Sequence, residues 1–239
     1  MNDDSASGIP RRLTAIGHRG AAGHAPENTL LSIDTAIRLG AQWVEFDVQH
    51  HDGELWLMHD LHLDRTTNGS GLLTAHPAAE LRRLDAGQGE PIPTLVDALD
   101  LIEQRIGVNI ELKSWNGCAA AVAACLRDYL ADGWPAERLL VSSFHLPELW
   151  EFKQLLPEVP LGVLYCGVPL EWAGLAAEIG ARCLNVSAEF VDTKLIADAH
   201  ERDLQLNVYT VNRVDDLERL AAMGVDGVFS DFPDRVLAL

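Results

Sequence analysis

Short apolar runs of strand-like character alternate along the whole chain with stretches whose apolar residues recur at three- and four-residue spacing. The runs fall near residues 13–17, 42–48, 107–112, 138–143, 160–165, 182–187, 204–210 and 225–229, and the amphipathic stretches between them read as helices. The first helix shows the logic: Asn28 or Thr29 supplies the N-cap, Leu30, Ile33 and Ile37 form one stripe, and Gly40 ends it. Eight strands alternating with helices predict an α/β chain folded as a (β/α)8 TIM barrel. A doubly wound open sheet gives the same alternation and is the alternative topology. No Ser/Gly linker, low-complexity segment or repeat interrupts the pattern, so residues 13–239 read as one catalytic-sized domain behind a short flexible tail over 1–12. The rhythm breaks only over 49–93. There Leu55-Trp-Leu-Met58 reads as an extra short strand and Asn68-Gly-Ser-Gly71 as tight turning, which predicts an extended loop after the second strand.

Composition narrows the partners. The chain has 239 residues, 48% of them hydrophobic, enough for one large core. No apolar stretch reaches the ~18 residues of a membrane span, and the first ten residues lack the basic and apolar regions of a signal peptide. A formal net charge of −18 opposes nucleic acid and anionic membrane as partners, so a phosphate-bearing ligand must be small and held by local positive charge. Cys118, Cys125, Cys166 and Cys183 form neither a C-x-x-C pair nor a zinc spacing with histidine, and read as free thiols in the cytoplasm. Oligomeric state is not legible.

The chemistry sits on the second and third strands. In Trp43-Val-Glu-Phe-Asp-Val48, strand alternation puts Val44, Phe46 and Val48 on one face and Trp43, Glu45 and Asp47 on the other. Val108-Asn-Ile-Glu-Leu-Lys113 repeats the arrangement, with Asn109, Glu111 and Lys113 on the polar side. The apolar faces should meet the surrounding helices, and the polar faces should point to the barrel axis near the strands' C-terminal ends, where barrel enzymes keep their sites. Carboxylates about 5 Å apart repel by roughly 3 kcal/mol per pair at an effective dielectric of about 20. A shared proton could relieve one pair, and a lone E-x-D is more often a solvated face. For Glu45, Asp47 and Glu111 converging from neighbouring strands, a hard divalent cation, Mg²⁺ or Ca²⁺, is the better reading.

His18 ends the first strand and His59 ends the Leu55–Met58 run, so both are candidates for proton transfer beside the carboxylates. Each alone would more often be structural. His24, His50, His51, His62, His76, His145 and His200 lack that context and read as surface or loop residues. Arg19 offers a guanidinium fork and Lys113 a point charge for phosphate oxygens, with pairing to the neighbouring carboxylates as their bland role. A bound cation would make this an anion site inside an acidic protein.

These residues resemble the glycerophosphodiester phosphodiesterase family, in its short cytosolic bacterial form, from about residue 13 to 235. The resemblance is carried by His18-Arg-Gly20 with Pro26-Glu-Asn-Thr29, Glu45-x-Asp47, His59-Asp60 with Leu63-Asp-Arg-Thr-Thr-Asn-Gly69, Glu111-x-Lys113, Ser143-Phe144, Val208-Tyr-Thr-Val-Asn212 and Asp226-Gly-Val-Phe-Ser-Asp231. It implies a TIM barrel with a small insertion at about 60–93, a metal on Glu45, Asp47 and Glu111, and His18 and His59 as acid and base. It also implies that Arg19 and Lys113 hold phosphate, that Glu27 belongs to the site, and that Phe144 and Tyr209 line the glycerol side. The implied reaction converts glycerophosphocholine, glycerophosphoethanolamine or a similar diester to sn-glycerol 3-phosphate and an alcohol. Tyr209 stands where the family usually has Trp, and Ser230 where it has Thr. Two rivals are a lysophospholipase D-type enzyme, with Trp115, Trp172 or Phe190 as an apolar rim, and a non-catalytic phosphodiester-binding barrel.

Overall fold

The structure is a computed structural model and describes residues 12–239. The tail expected over 1–12 lies, up to residue 11, outside the described residues. Nine strands form one sheet: β1 Thr14–Gly17, β2 Trp43–His51, β3 Glu54–Leu57, β4 Gly107–Leu112, β5 Leu139–Ser143, β6 Leu161–Tyr165, β7 Cys183–Ser187, β8 Gln205–Tyr209 and β9 Gly227–Ser230. All neighbours pair in parallel except β2 with β3. Because β1 pairs with both β9 and β2, the eight parallel strands close into a barrel. That closure excludes the open doubly wound sheet.

Helices follow the strands: α1 Leu30–Leu39, α2 Ala78–Leu81, α3 Leu95–Ile102, α4 Cys118–Ala131, α5 Leu146–Leu155, α6 Gly174–Glu178, α7 Thr193–Glu201, α8 Val214–Met223 and α9 Pro233–Leu237. Thr29, rather than Asn28, caps α1 by accepting from the Ser32 backbone N–H at 3.2 Å, and Gly40 closes it at φ 90°. Asn28 is instead left-handed, at φ 57°, and its side chain points inward.

The main core lies between the outer strand faces and the helices, where Val44, Phe46 and Val48 join Val108, Ile110 and Leu112 in one apolar cluster. The barrel interior mixes apolar side chains such as Leu140 and Leu164 with polar ones. Asn207 donates to Asn185, and Ser142 donates to Asn109, at 3.0 and 2.9 Å, so these buried side chains largely satisfy one another. Strand β2 runs three residues past the expected end at 48, because β3 folds back on it and pairs His50 with Leu55 and His51 with Glu54. The segment that follows has a small core of its own, built on Trp56, Met58, Leu63, Leu73, Leu81 and Ile92. This satellite core covers one side of the barrel's C-terminal mouth.

Candidate active site

Register places the carboxylates. In the β2–β4 ladder Asp47 stands opposite Glu111 and Glu45 opposite Asn109, with side chains on the barrel axis. One oxygen from each of Glu45, Asp47 and Glu111 lies within 4.8 Å of the others, and all three residues are buried. Arg19 and Lys113 partly balance them: Arg19 Nε lies 3.2 Å from Asp47, and Lys113 Nζ donates to Glu111 at 2.8 Å and sits 3.7 Å from Asp47. Asn28 bonds Asp47 twice, donating Nδ2–H to Oδ2 and accepting from the Asp47 backbone N–H. Glu45 Oε2 accepts from the Arg19 backbone N–H at 2.9 Å, while Glu45 Oε1 is buried without a partner.

Three carboxylates face two cations here. Burial, then the neighbouring Asp47 and Glu111, pushes the Glu45 carboxyl well above its ordinary range. Burial and Asp47 raise Glu111 to about 6, against the Lys113 bond. An orphaned, buried carboxylate oxygen beside two others is the arrangement a hard cation relieves, and an all-oxygen donor set suits Mg²⁺ or Ca²⁺. The residues fit such an ion.

A cavity of about 230 Å³ opens above the cluster, lined by His18, Arg19, Glu45, His59, Glu111, Lys113, Phe144, Leu164, Tyr209, Thr210 and Phe229. A smaller cavity, about 80 Å³, lies at the opposite end of the barrel beside Trp43, Arg182, Asn207 and Asp226, and holds neither histidine nor the carboxylate group. The expected residues therefore converge on the C-terminal mouth. Asp47 lies just below the cavity, buried at 1% exposure, and Glu27 lies behind Arg19, accepting from Arg19 Nη1 at 2.7 Å. The turn that carries His18 and Arg19 is tight: Gly20 has φ 91°, and a Cβ there would meet Ser32 Oγ at 2.1 Å.

Each histidine is held through Nδ1 by a carboxylate, Asp231 for His18 at 2.7 Å and Asp60 for His59 at 2.6 Å. Among the described residues neither Nε2 has a hydrogen-bond partner, which leaves that nitrogen for the cavity. Burial lowers the His59 pKa despite the opposing pull of Asp47 and Asp60. Asp231 is in turn bonded by Asn212, whose Nδ2 donates to it at 2.6 Å and whose Oδ1 accepts from the Asp231 backbone at 2.9 Å. Ser230 donates its hydroxyl to Asn212 Oδ1.

On the opposite wall, Phe144 and Tyr209 meet edge to face at 5.8 Å, and Lys113 Nζ lies 5.7 Å above the Phe144 ring. The Tyr209 hydroxyl donates to the Tyr165 carbonyl at 2.8 Å, so Tyr209 offers the cavity its ring rather than its oxygen. Of the expected apolar rim, Trp115 and Phe190 are exposed at 59% and 40%, but Trp172 packs against the barrel core. His145 does more than fill a loop: it caps α5, and Trp115 stacks on it at 5.1 Å.

Asp60, Asp231 and Asn212 were present in the sequence motifs without a role of their own. Asp231 immediately follows the last barrel strand, and a carboxylate at such a strand end is the signal that could have singled it out.

Fold and site together define a closed (β/α)8 barrel with an acidic, two-histidine mouth, the architecture of a phosphoric diester hydrolase. The model of the glycerophosphoryl diester phosphodiesterase family matches residues 18–235, and the chain belongs to that family of enzymes. A glycerophosphodiester phosphodiesterase of Caldanaerobacter subterraneus subsp. tengcongensis is 34% identical over 95% of this chain and 98% of its own length. Another, from Bacillus subtilis, is 33% identical over 94% of this chain and 85% of its own. Among solved structures, an Oleispira antarctica phosphodiesterase in complex with the product sn-glycerol-3-phosphate superposes with a TM-score of 0.86, at 36% identity, covering 93% of this chain and 94% of that one.

Proposed function

We propose that residues 13–239 act as one catalytic domain that hydrolyses glycerophosphodiesters, such as glycerophosphocholine and glycerophosphoethanolamine, to sn-glycerol 3-phosphate and a free alcohol. The observation that carries this reading is the pair of Nδ1-anchored histidines facing one cavity whose floor is the Glu45, Asp47 and Glu111 group. The Oleispira relative, with its bound product, supports the substrate class. The four cysteines are free, which supports a reducing compartment, and we place the enzyme in the cytoplasm. No helix among the described residues is long and apolar enough to cross a membrane.

Phosphate oxygens of the substrate meet Arg19 and Lys113, the two cations at the cavity floor. The glycerol packs against the Phe144 and Tyr209 rings. One histidine takes the proton of the glycerol hydroxyl next to the phosphoester, and that oxygen attacks phosphorus. The other histidine gives its proton to the departing alkoxide, releasing the alcohol and leaving a cyclic glycerol phosphate. Water then opens the ring with the two proton roles exchanged. Glu45, Asp47 and Glu111 would hold Mg²⁺ or Ca²⁺, which when bound supplies charge neutralisation and polarisation of the phosphoryl group. Nδ1 anchoring keeps both rings in the tautomer that exposes Nε2, so each is ready for either role.

A panel of glycerophosphodiesters assayed with Mg²⁺, with Ca²⁺ and with chelator tests the reading. It should release sn-glycerol 3-phosphate with a cation present and lose turnover on chelation; full turnover in metal-free enzyme would remove the carboxylate group from the catalysis. Lysophospholipids belong in the same panel, because Phe144 lines the cavity and is 43% exposed, and Trp115 and Phe190 on neighbouring loops are exposed too, apolar surface an acyl chain could cover. A non-catalytic barrel should lack at least one carboxylate or histidine of the site, and none is missing.

A further inference from the structure

His18 and His59 have the same first partner, a carboxylate on Nδ1, but only the support of His18 is built from the barrel. Asp60 neighbours His59 in sequence, in a loop whose backbone is anchored by the buried Gln49 side chain, which donates to the Met58, His59 and Asp60 carbonyls, but the Asp60 side chain is 28% exposed and that anchor does not reach it. What holds it is Arg65. The Arg65 guanidinium donates Nε–H and Nη2–H to the two oxygens of Asp60 at 2.6 and 3.1 Å, and Nη1–H and Nη2–H to the two oxygens of Glu27 at 2.7 and 2.8 Å. Every nitrogen of the fork is used, and both carboxylates are gripped in the two-point geometry that fixes orientation.

Glu27 is itself pinned by Arg19, which faces the cavity floor. Burial works to raise the Glu27 carboxyl, and the Arg65 and Arg19 bonds outweigh it, so both its oxygens are committed as an anion. The backbone near Arg65 is equally fixed, because Leu63 is fully buried in the satellite core and Thr67 Oγ1 donates back to the Leu63 carbonyl at 2.8 Å. A single exposed ion pair contributes little to stability, and Arg65 is 47% exposed. A fork that joins the His59 carboxylate to the first loop therefore has a better explanation in orientation than in stability.

We propose that Arg65 is a positioning residue for His59, locking Asp60 onto Nδ1 and tying that ring, through Glu27, to the loop that carries Arg19. It does for Asp60 what the β1–β9 register, with Asn212 behind it, does for Asp231. The inference rests on the proposed use of His59 in proton transfer.

Arg65→Met, Arg65→Lys, Asp60→Asn and the Arg65→Met/Asp60→Asn double variant test it, each assayed on glycerophosphocholine. Arg65→Met should lower kcat about 10- to 100-fold, the usual cost of losing a group that orients an imidazole. KM should stay within about 3-fold, since Arg65 is not assigned to the substrate. Arg65→Lys, which keeps the charge and loses the fork, should fall in between. Asp60→Asn should match Arg65→Met, and the double variant should be no worse than the worse single one, because both act on the same ring. Nitrogen-15 NMR of the histidine rings in metal-free, substrate-free protein adds a reading independent of turnover: one fixed Nδ1–H tautomer for His59 in the parent, a mixture in Arg65→Met and in Asp60→Asn. An unchanged tautomer, a loss confined to KM, or fully additive single effects would overturn the proposal. Should Arg65→Met fail to fold, Arg65→Lys and Asp60→Asn, with the ring spectrum, still decide it. If the parent hydrolyses no glycerophosphodiester, the functional reading fails and the ring spectrum still reports on Arg65; if the parent is active and Arg65→Met equally so, only this inference fails.

Discussion

The two histidine supports make the same bond by different means. On the barrel side, His18 follows β1 and Asp231 follows β9, and the β1–β9 ladder sets Gly17 against Ser230, so strand register alone brings the two side chains together. The His18 backbone N–H even continues that ladder, donating to the Ser230 carbonyl at 3.0 Å. On the insertion side, His59 and Asp60 are consecutive loop residues, and a side-chain fork does the work of a sheet. A closed parallel barrel can thus bring one imidazole and its carboxylate together through strand register, whereas in the appended segment a charged fork orients the carboxylate of the other.

The strongest way to break this comparison is to remove each ring. His18→Ala and His59→Ala should each lower kcat by about 10²- to 10⁴-fold, the usual contribution of an acid or base, with the far-ultraviolet spectrum and melting temperature retained. Near-parental turnover in either variant would show that only one side of the mouth takes part. A smaller effect is expected one shell further out. Asn212→Ala removes a partner of Asp231 but leaves the strand register intact, so its kcat should fall by roughly 10-fold, at the low end of the range for such groups. A loss as large as that of His18→Ala would mean that register does not hold the His18 pair and that Asn212 does.

How much of this was legible in the sequence follows from sequence distance. The strands were, most plainly where outer apolar positions alternate with polar inner ones, as in Val44, Phe46 and Val48 against Glu45 and Asp47. The carboxylate group was, because two of its members share one strand and the third sits in the same pattern on the next. The supports were not. Asp231 lies 213 residues from His18 and Arg65 lies 38 from Glu27, and no local pattern marks either pair. Glu27 stood in the Pro26-Glu-Asn-Thr29 stretch, but its partner Arg65, which takes both its oxygens, lies in the insertion and outside any local pattern. The length of β2 was misjudged for a similar reason: His50 and His51 become strand only through pairing with β3, a tertiary fact that local propensity does not contain.

Protonation sharpens the same contrast. Burial holds His59 neutral to lower pH than a free imidazole, and Asp60 pulls the other way by stabilising the imidazolium. Removing that charge in Asp60→Asn should therefore lower the His59 pKa further. The limb of the kcat/KM profile carried by His59, whichever side of the bell it forms, should move to lower pH. A profile in which no limb moves would detach Asp60 from the titration.

The smallest expected effect tests whether the barrel side is the more self-sufficient. The loops that carry His18 and His59 each lead into a capped helix. Thr29 accepts from the Ser32 N–H at the start of α1, and Thr94 forms a reciprocal capping box with Asp97 at the start of α3, after the insertion. Thr29→Ala and Thr94→Ala should each cost about 1 kcal/mol in urea unfolding. If strand register holds the His18 pair, Thr29→Ala should leave kcat unchanged although its neighbour Asn28 bonds Asp47. A drop in kcat for Thr29→Ala, with none for Thr94→Ala, would reverse the ranking: the first loop would then depend on its helix for order, and the fork through Arg65 and Glu27 would be bracing the barrel side as much as the insertion.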